Sequence, residues 1–196
     1  MNYPNGKKHH SLQRKGETET KDSFSNRGMT LEEDINITNV YYLESDIAVI
    51  HKKPTPVQIV NVHYPRRSAA VITEGYFKQA STTDYNGLYR GKYVDFEAKE
   101  TKHTSRFPLA NIHDHQIRHM QSIVNHGGIC FILIRFAVLD ETYYVPAEKL
   151  FPYWHDKLTG GRKSVPYQTI KQNGYSIPFH FQKRVDYLRV IDKLYF

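Results

Sequence analysis

The spacing of apolar positions changes several times along the chain, and each change predicts an element. In "TLEEDINITNVYYLES" Leu31, Ile35, Thr38 and Tyr42 fall on one helical stripe, with Thr30 as N-cap and Glu33 three positions on, the capping-box arrangement. "DIAVIHK" reads as a strand, and "KPTPVQIVNVHYPRRSAAVITEGYF" as two more strands joined by a turn at "PRRS". Pro54, Pro56 and Pro65 bar a central place in a sheet, so residues 54–78 are expected as a hairpin at an edge or projecting like a stalk. "STTDYNGLYRGKYVDFEAKE" gives two alternating segments around "YRGK", a hairpin of core strands. The spacing then predicts a helix, "IHDHQIRHMQSIVNH", capped by Asn111 and ended by Gly127 and Gly128. "ICFILIRF" is a continuous apolar run, the mark of a central strand buried on both faces, with "ETYYVP" as its neighbour. A short helix around "AEKLFPYWHDKL", a basic loop "TGGRKS" and a last helix "QKRVDYLRVIDKLYF" complete the chain, and no internal repeat is evident.

Composition narrows the class. With 196 residues, 39% hydrophobic and 13% aromatic, the chain suits one globular αβ domain with appendages. Its longest apolar runs are strand-sized, far below the roughly 20 residues a membrane span needs, so no membrane partner is expected. The amino-terminal stretch has no apolar core of the secretory kind, and the lone Cys130, a small core residue by its surroundings, cannot form an intramolecular disulfide. Both features lead us to expect the cytoplasm. Residues 1–28 carry six lysines and arginines against three acids and few apolar side chains, and are expected to be a disordered basic arm ahead of a domain spanning 29–196. Overall, 27 basic residues face 20 acidic ones, a net charge of +7 that favours polyanions, nucleic acid above all.

Candidate chemistry lies in "YVDFEAKETK". Val94, Phe96 and Ala98 share one face of a strand, while Asp95, Glu97 and Lys99 stand in file on the other. In the preceding strand Thr82 and Asp84 likewise share a face, so pairing of the two strands would gather two carboxylates, a hydroxyl and an ammonium. Carboxylates about 4 Å apart repel by roughly 4 kcal/mol at an effective dielectric near 20. A divalent cation offsets that, and hard oxygen donors without cysteine select Mg²⁺, with Mn²⁺ as a substitute. Gln116 falls in an otherwise apolar stripe with Ile112, Met120 and Ile123, and a buried amide needs a partner, such as a metal or its bound water. His115 and His119, four apart, could grip a transition metal but lack a placed third ligand. With Arg118 they otherwise line a DNA-facing surface or are polar helix positions. Lys102, His103 and Arg106 form a basic loop suited to phosphate or to solvent.

Asp84 and the "EAK" of residues 97–99 resemble the Asp and Glu-x-Lys of the PD-(D/E)xK nuclease superfamily. Together with "NRGMTLEE", "HKKPTPVQIV", "TTDYNG" and "HDHQIRHM", the chain from about Asn26 to its carboxyl end resembles RecU-type Holliday-junction resolvases of Gram-positive bacteria. The resemblance implies an α/β, restriction-endonuclease-like fold, a mixed central sheet flanked by helices, with 54–78 as a projecting β stalk. It implies a Mg²⁺-dependent endonuclease that cuts four-way junction DNA symmetrically in recombination and repair, works as a homodimer and modulates the RecA recombinase. Carried over, Thr82, Asp84, Glu97 and Gln116 would form the metal site, Lys99 would stabilise the transition state, and Glu32 would be the auxiliary acid, with adjacent Glu33 as the alternative. Arg66 and Arg67, which on their own read equally as solvated tip residues, become DNA contacts of the stalk, and Arg27, Lys102 and Arg118 complete the candidate DNA-binding set. Two other readings stay open: a nuclease of the same chemistry on another DNA substrate, and a non-catalytic DNA-binding modulator of a recombinase. The second predicts a damaged site, whereas Asp84, Glu97 and Lys99 are all present.

Overall fold

The described residues of this computed structural model, 29–78 and 82–196, run in chain order through fifteen principal elements. These are α1 (Leu31–Glu44), β1 (Val49–Lys52), β2 (Val57–His63), β3 (Val71–Phe77), β4 (Tyr85–Tyr89), β5 (Lys92–Thr101), β6 (Arg106–Pro108), α2 (Asp114–Asn125), β7 (Ile129–Phe136), β8 (Glu141–Pro146), α3 (Phe151–Leu158), β9 (Ser164–Pro166), α4 (Tyr167–Asn173), β10 (Tyr175–Ile177) and α5 (Leu188–Tyr195). The arm expected over 1–28, and Arg27 with it, lies outside the described residues.

Six strands form the central sheet in the order β1-β4-β5-β7-β8-β10. Only β5 and β7 pair in parallel, as a connection through α2 requires, and the other neighbours are antiparallel. The sheet is therefore mixed, flanked by helices, as expected. Alternation along β5 decides what each face carries. Val94 and Phe96 face the side covered by Leu31 and Ile35 of α1 and Ile191 of α5. There Phe96 stacks between Tyr85 at 4.8 Å and Phe131 at 4.7 Å, and Phe131 stacks on Tyr144 at 4.1 Å, an aromatic layer crossing four strands. Asp95, Glu97 and Lys99 pair in register with Cys130, Ile132 and Ile134, whose side chains pack on the opposite side with Ile117 and Met120 of α2. The charged file of β5 thus lies on the α2 face.

Helix α1 starts where the capping pattern places it. The Thr30 N–H donates to Glu33 at 2.7 Å and the Glu33 N–H donates to the Thr30 hydroxyl at 3.2 Å. Asp34, buried, pins the helix through ion pairs with Arg135 at 2.7 Å and Arg184 at 3.2 Å. Strands β2 and β3 pair only with each other among the described residues, and nearly all their side chains are exposed. Arg66 and Arg67 lie in the connection, which closes with a single 3-10 turn over Arg67–Ala69.

Several boundaries differ from expectation for identifiable reasons. Asn111 does not cap α2, because Leu109–Asn111 forms its own 3-10 turn and the helix begins two residues later behind His113. The last helix spans only Leu188–Tyr195, since the segment before it is tied along α1: Val185 N–H to Thr38, the Tyr42 hydroxyl to Asp186, and Tyr187 to Asn39. The helix expected around 147–158 is split into a 3-10 turn and α3, with Pro152 in its first turn. The small pairs β6–β9 and β8–β10, and helix α4, have no clear apolar period and were not foreseen.

At Gly87 the backbones of β4 and β1 approach so closely that an added Cβ would lie 2.0 Å from the Val49 carbonyl oxygen. Gly87→Ala is expected to destabilise the fold by about 1–3 kcal/mol through this overpacking, seen as a lower urea midpoint. Loosening is expected at β1, whose far end carries Lys52 and leads to Lys53.

Candidate active site

The loop Thr82–Asp84 enters β4 beside the end of β1. The Lys53 N–H donates to the Asp84 carbonyl at 2.7 Å, which fixes the loop against β1. Asp84 and Thr82 line a cleft of about 310 Å³ together with Glu32, Lys52 and Pro54. One strand further in, Glu97 of β5 is fully buried. Lys99 Nζ lies 2.8 Å from its Oε1, and Gln116 Nε2 donates to its Oε2 at 2.7 Å. Oε1 is thus buried against the Lys99 ammonium and Oε2 against the Gln116 amide. Burial, and next the neighbouring Asp84 carboxylate, push the Glu97 pKa up to about 8 against the pull of Lys99.

The structure thus gathers Thr82, Asp84, Glu97, Lys99 and Gln116 about one corner of the sheet. The amide of Gln116 is engaged by protein at both ends, because its oxygen accepts from the His113 N–H at 3.0 Å while its nitrogen holds Glu97. Glu33 is occupied by the helix cap, whereas Glu32 lines the cleft and bonds the Lys52 ammonium. Of the two adjacent acids, Glu32 faces the site. Of the DNA candidates, Arg66 and Arg67 lie on the separate hairpin, Lys102 in the exposed loop after β5, and Arg118 on α2 paired with Asp114 at 2.8 Å. Among the described residues no group of three or more His, Cys, Asp or Glu side chains is placed to hold an ion together, which leaves His115 and His119 without a zinc site. His119 instead lies 3.2 Å from Asp95.

Sequence reading missed Lys53 and Asp95. The "HKK" stretch carried no sign that its second lysine turns inward, and Asp95 stood in the charged file with nothing to separate its surroundings from those of Glu97.

The RecU family model, "Recombination protein U", matches residues 26–193. The chain belongs to the RecU family. The match begins where the resemblance was expected to begin, near Asn26, and it covers every site residue named above. A protein named "Holliday junction resolvase RecU" from Oceanobacillus iheyensis is 63% identical over 196 residues, the full length of both chains. RecU proteins bearing the same name are 58% identical in Geobacillus kaustophilus, over 100% of this chain and 98% of that one, and 54% identical in Bacillus subtilis, over 100% and 96%. Among solved structures, Hjc of Archaeoglobus fulgidus, titled a Holliday junction resolvase, aligns with a TM-score of 0.44 at 8% identity over 72% of this chain and 93% of that one.

Proposed function

We propose that this chain is a Mg²⁺-dependent endonuclease that resolves four-way DNA junctions in recombination and repair. Family membership and the names of its RecU relatives support the substrate. The observation that carries the chemistry is the buried Glu97, crowded by Asp84 and flanked by Lys99 and Gln116.

The donors fit a hard divalent ion. Two carboxylates and a hydroxyl offer oxygen and no sulfur, and the crowding at Glu97 is what a cation relieves. Asp84 and Glu97 would hold it, with Thr82 and Gln116 beside them. When bound, such an ion lowers the pKa of a water and neutralises charge on the attacked phosphate. The residues do the rest. Gln116 fixes the rotamer of Glu97 by its hydrogen bond, and Lys99, about one-fifth exposed, presents an ammonium that can neutralise charge building on the phosphoryl oxygens or orient the attacking water. Glu32 and Lys52 form an exposed ion pair at the rim, where Lys52 can meet the phosphate backbone.

Symmetrical cutting of a junction calls for a two-fold dimer. Among the described residues no helix is long and apolar enough to cross a membrane.

The test is incubation of the protein with a synthetic immobile junction and with linear duplex, with and without Mg²⁺. Paired symmetrical nicks in the junction alone, requiring the metal, are expected. Equal cutting of linear duplex would reassign the substrate, and binding without any cutting would favour the non-catalytic modulator.

A further inference from the structure

Two acids stand in file on the α2 face of β5, and the fold surrounds them differently. Glu97 meets the Lys99 ammonium, the Gln116 amide and the crowding Asp84 carboxyl. Asp95, two residues earlier and likewise 0% exposed, is held by four side chains. Lys53 Nζ lies 2.8 Å from its Oδ2, the Tyr93 hydroxyl donates to that oxygen at 3.1 Å, His119 Nε2 lies 3.2 Å from the carboxylate, and the Thr83 hydroxyl donates a short bond to Oδ1. Both carboxylate oxygens of Asp95 are therefore engaged by protein, Oδ2 by Lys53 and Tyr93, Oδ1 by Thr83, with His119 3.2 Å from each. Asp95 is a structural hub beside the acid of the site.

The donors come from the elements that build the site. Thr83 lies between Thr82 and Asp84. Lys53 donates its backbone N–H to Asp84 at 2.7 Å and its ammonium to Thr83 at 3.0 Å as well as to Asp95. His119 lies on α2, one turn beyond Gln116, and Tyr93 belongs to β5 itself. One buried charge thus joins the Asp84 loop, the end of β1 and the helix of Gln116 to the strand of Glu97. Burying a carboxylate costs several kcal/mol, a cost that apolar packing at the same point would avoid, so packing alone does not account for it.

We propose that Asp95 is a positioning residue of the cleavage site: through Thr83 and Lys53 it sets Asp84 against Glu97, and through His119 it fixes the helix that supplies Gln116. The proposal rests on the nuclease reading above. Asp95→Asn keeps the shape and removes the charge, Thr83→Val removes only the hydroxyl link from the loop, and Asp95→Asn with Lys53→Met removes both ends of the ion pair. Each is compared with wild type in single-turnover cleavage of an immobile junction with Mg²⁺, in junction affinity with EDTA, and in thermal melting.

Cleavage per folded molecule is expected to fall roughly 10- to 100-fold in both single variants, in the range seen when residues supporting metal ligands are lost, with junction affinity unchanged. Adding Lys53→Met is expected to cost little beyond Asp95→Asn, because both act through one link. A folded Asp95→Asn or Thr83→Val protein that cuts at the wild-type rate overturns the proposal. So does a loss of rate matched by an equal loss of affinity or of folded fraction, the signature of a merely structural role. If Asp95→Asn does not fold, Thr83→Val decides alone. Wild-type protein that fails to cut overturns the nuclease reading and this proposal with it; unimpaired variants beside an active wild type overturn this proposal only.

Discussion

Glu97→Gln will stop junction cleavage and at the same time raise the melting temperature of the metal-free protein at pH 8. The first effect follows from the proposed role of Glu97 as one of two carboxylates holding the ion, a role worth several kcal/mol of transition-state stabilisation, or roughly a thousandfold in rate. The second follows from linkage. The Glu97 pKa is raised from an ordinary 4.5 to about 8 in the folded protein, by burial first and then by Asp84. Between those values the folded state holds a proton that the unfolded state has released, so stability falls as pH rises through the window from 4.5 to 8 and is flat above it. Glutamine has no proton to lose. Its gain should be absent near pH 4.5 and reach several kcal/mol at pH 8. Melting curves in EDTA at the two pH values check this, and equal curves for both proteins at pH 8 would refute it. The same crowding predicts that Mg²⁺ stabilises wild type at pH 8 and barely affects the variant.

Asp34→Ala is expected to be the most damaging single change to stability, at about 3–5 kcal/mol. Asp34 is buried and answers two largely buried guanidinium groups, Arg135 at 2.7 Å and Arg184 at 3.2 Å. Removing it takes the counter-charge from both. Arg135 would keep Thr142 at 3.1 Å, but Arg184 has a buried Nε that already lacks a partner. For a chain of this length each kcal/mol moves the melting temperature by about 2–4 °C, so a drop on the order of 10 °C should appear in calorimetry. Arg135→Met with Asp34→Leu, which removes one pair while keeping volume, should recover part of the loss. A fall of only a degree or two for Asp34→Ala would show that the triad is well solvated.

The parts of the fold legible in the sequence were those with a strong period or a local cap. The stripe from Leu31 to Tyr42, the apolar run of β7 and the alternation of β5 each encode their own burial, and they gave the mixed sheet and its flanking helix. What escaped was fixed by distant partners. Residues 182–187 have helical composition, yet their hydrogen bonds to Thr38, Asn39 and Tyr42 hold them outside the helix. At the site, two-residue spacing put Glu97 and Lys99 on one face and helical spacing put Gln116 in a buried stripe, whereas their gathering with Asp84, which lies in a loop ahead of β4 and not on the expected strand, was what the family resemblance implied. Telling Glu32 from Glu33 required knowing that the cap consumes one carboxylate. Separating Asp95 from Glu97 required counting donors on four different segments, which no spacing encodes.

Strand β5 has neighbours on both sides, whereas β1 is a four-residue strand at the rim of the sheet, paired among the described residues only with β4. Peripheral strands open at lower free energy than central ones. The carboxylate of Glu97 is thus anchored in the last part of the molecule to come apart, while the lysine that clamps Asp84 is fastened to one of the first. Warming should dismantle the cutting centre from its Lys53 side well before global melting, leaving a protein that is still folded and has already gone silent.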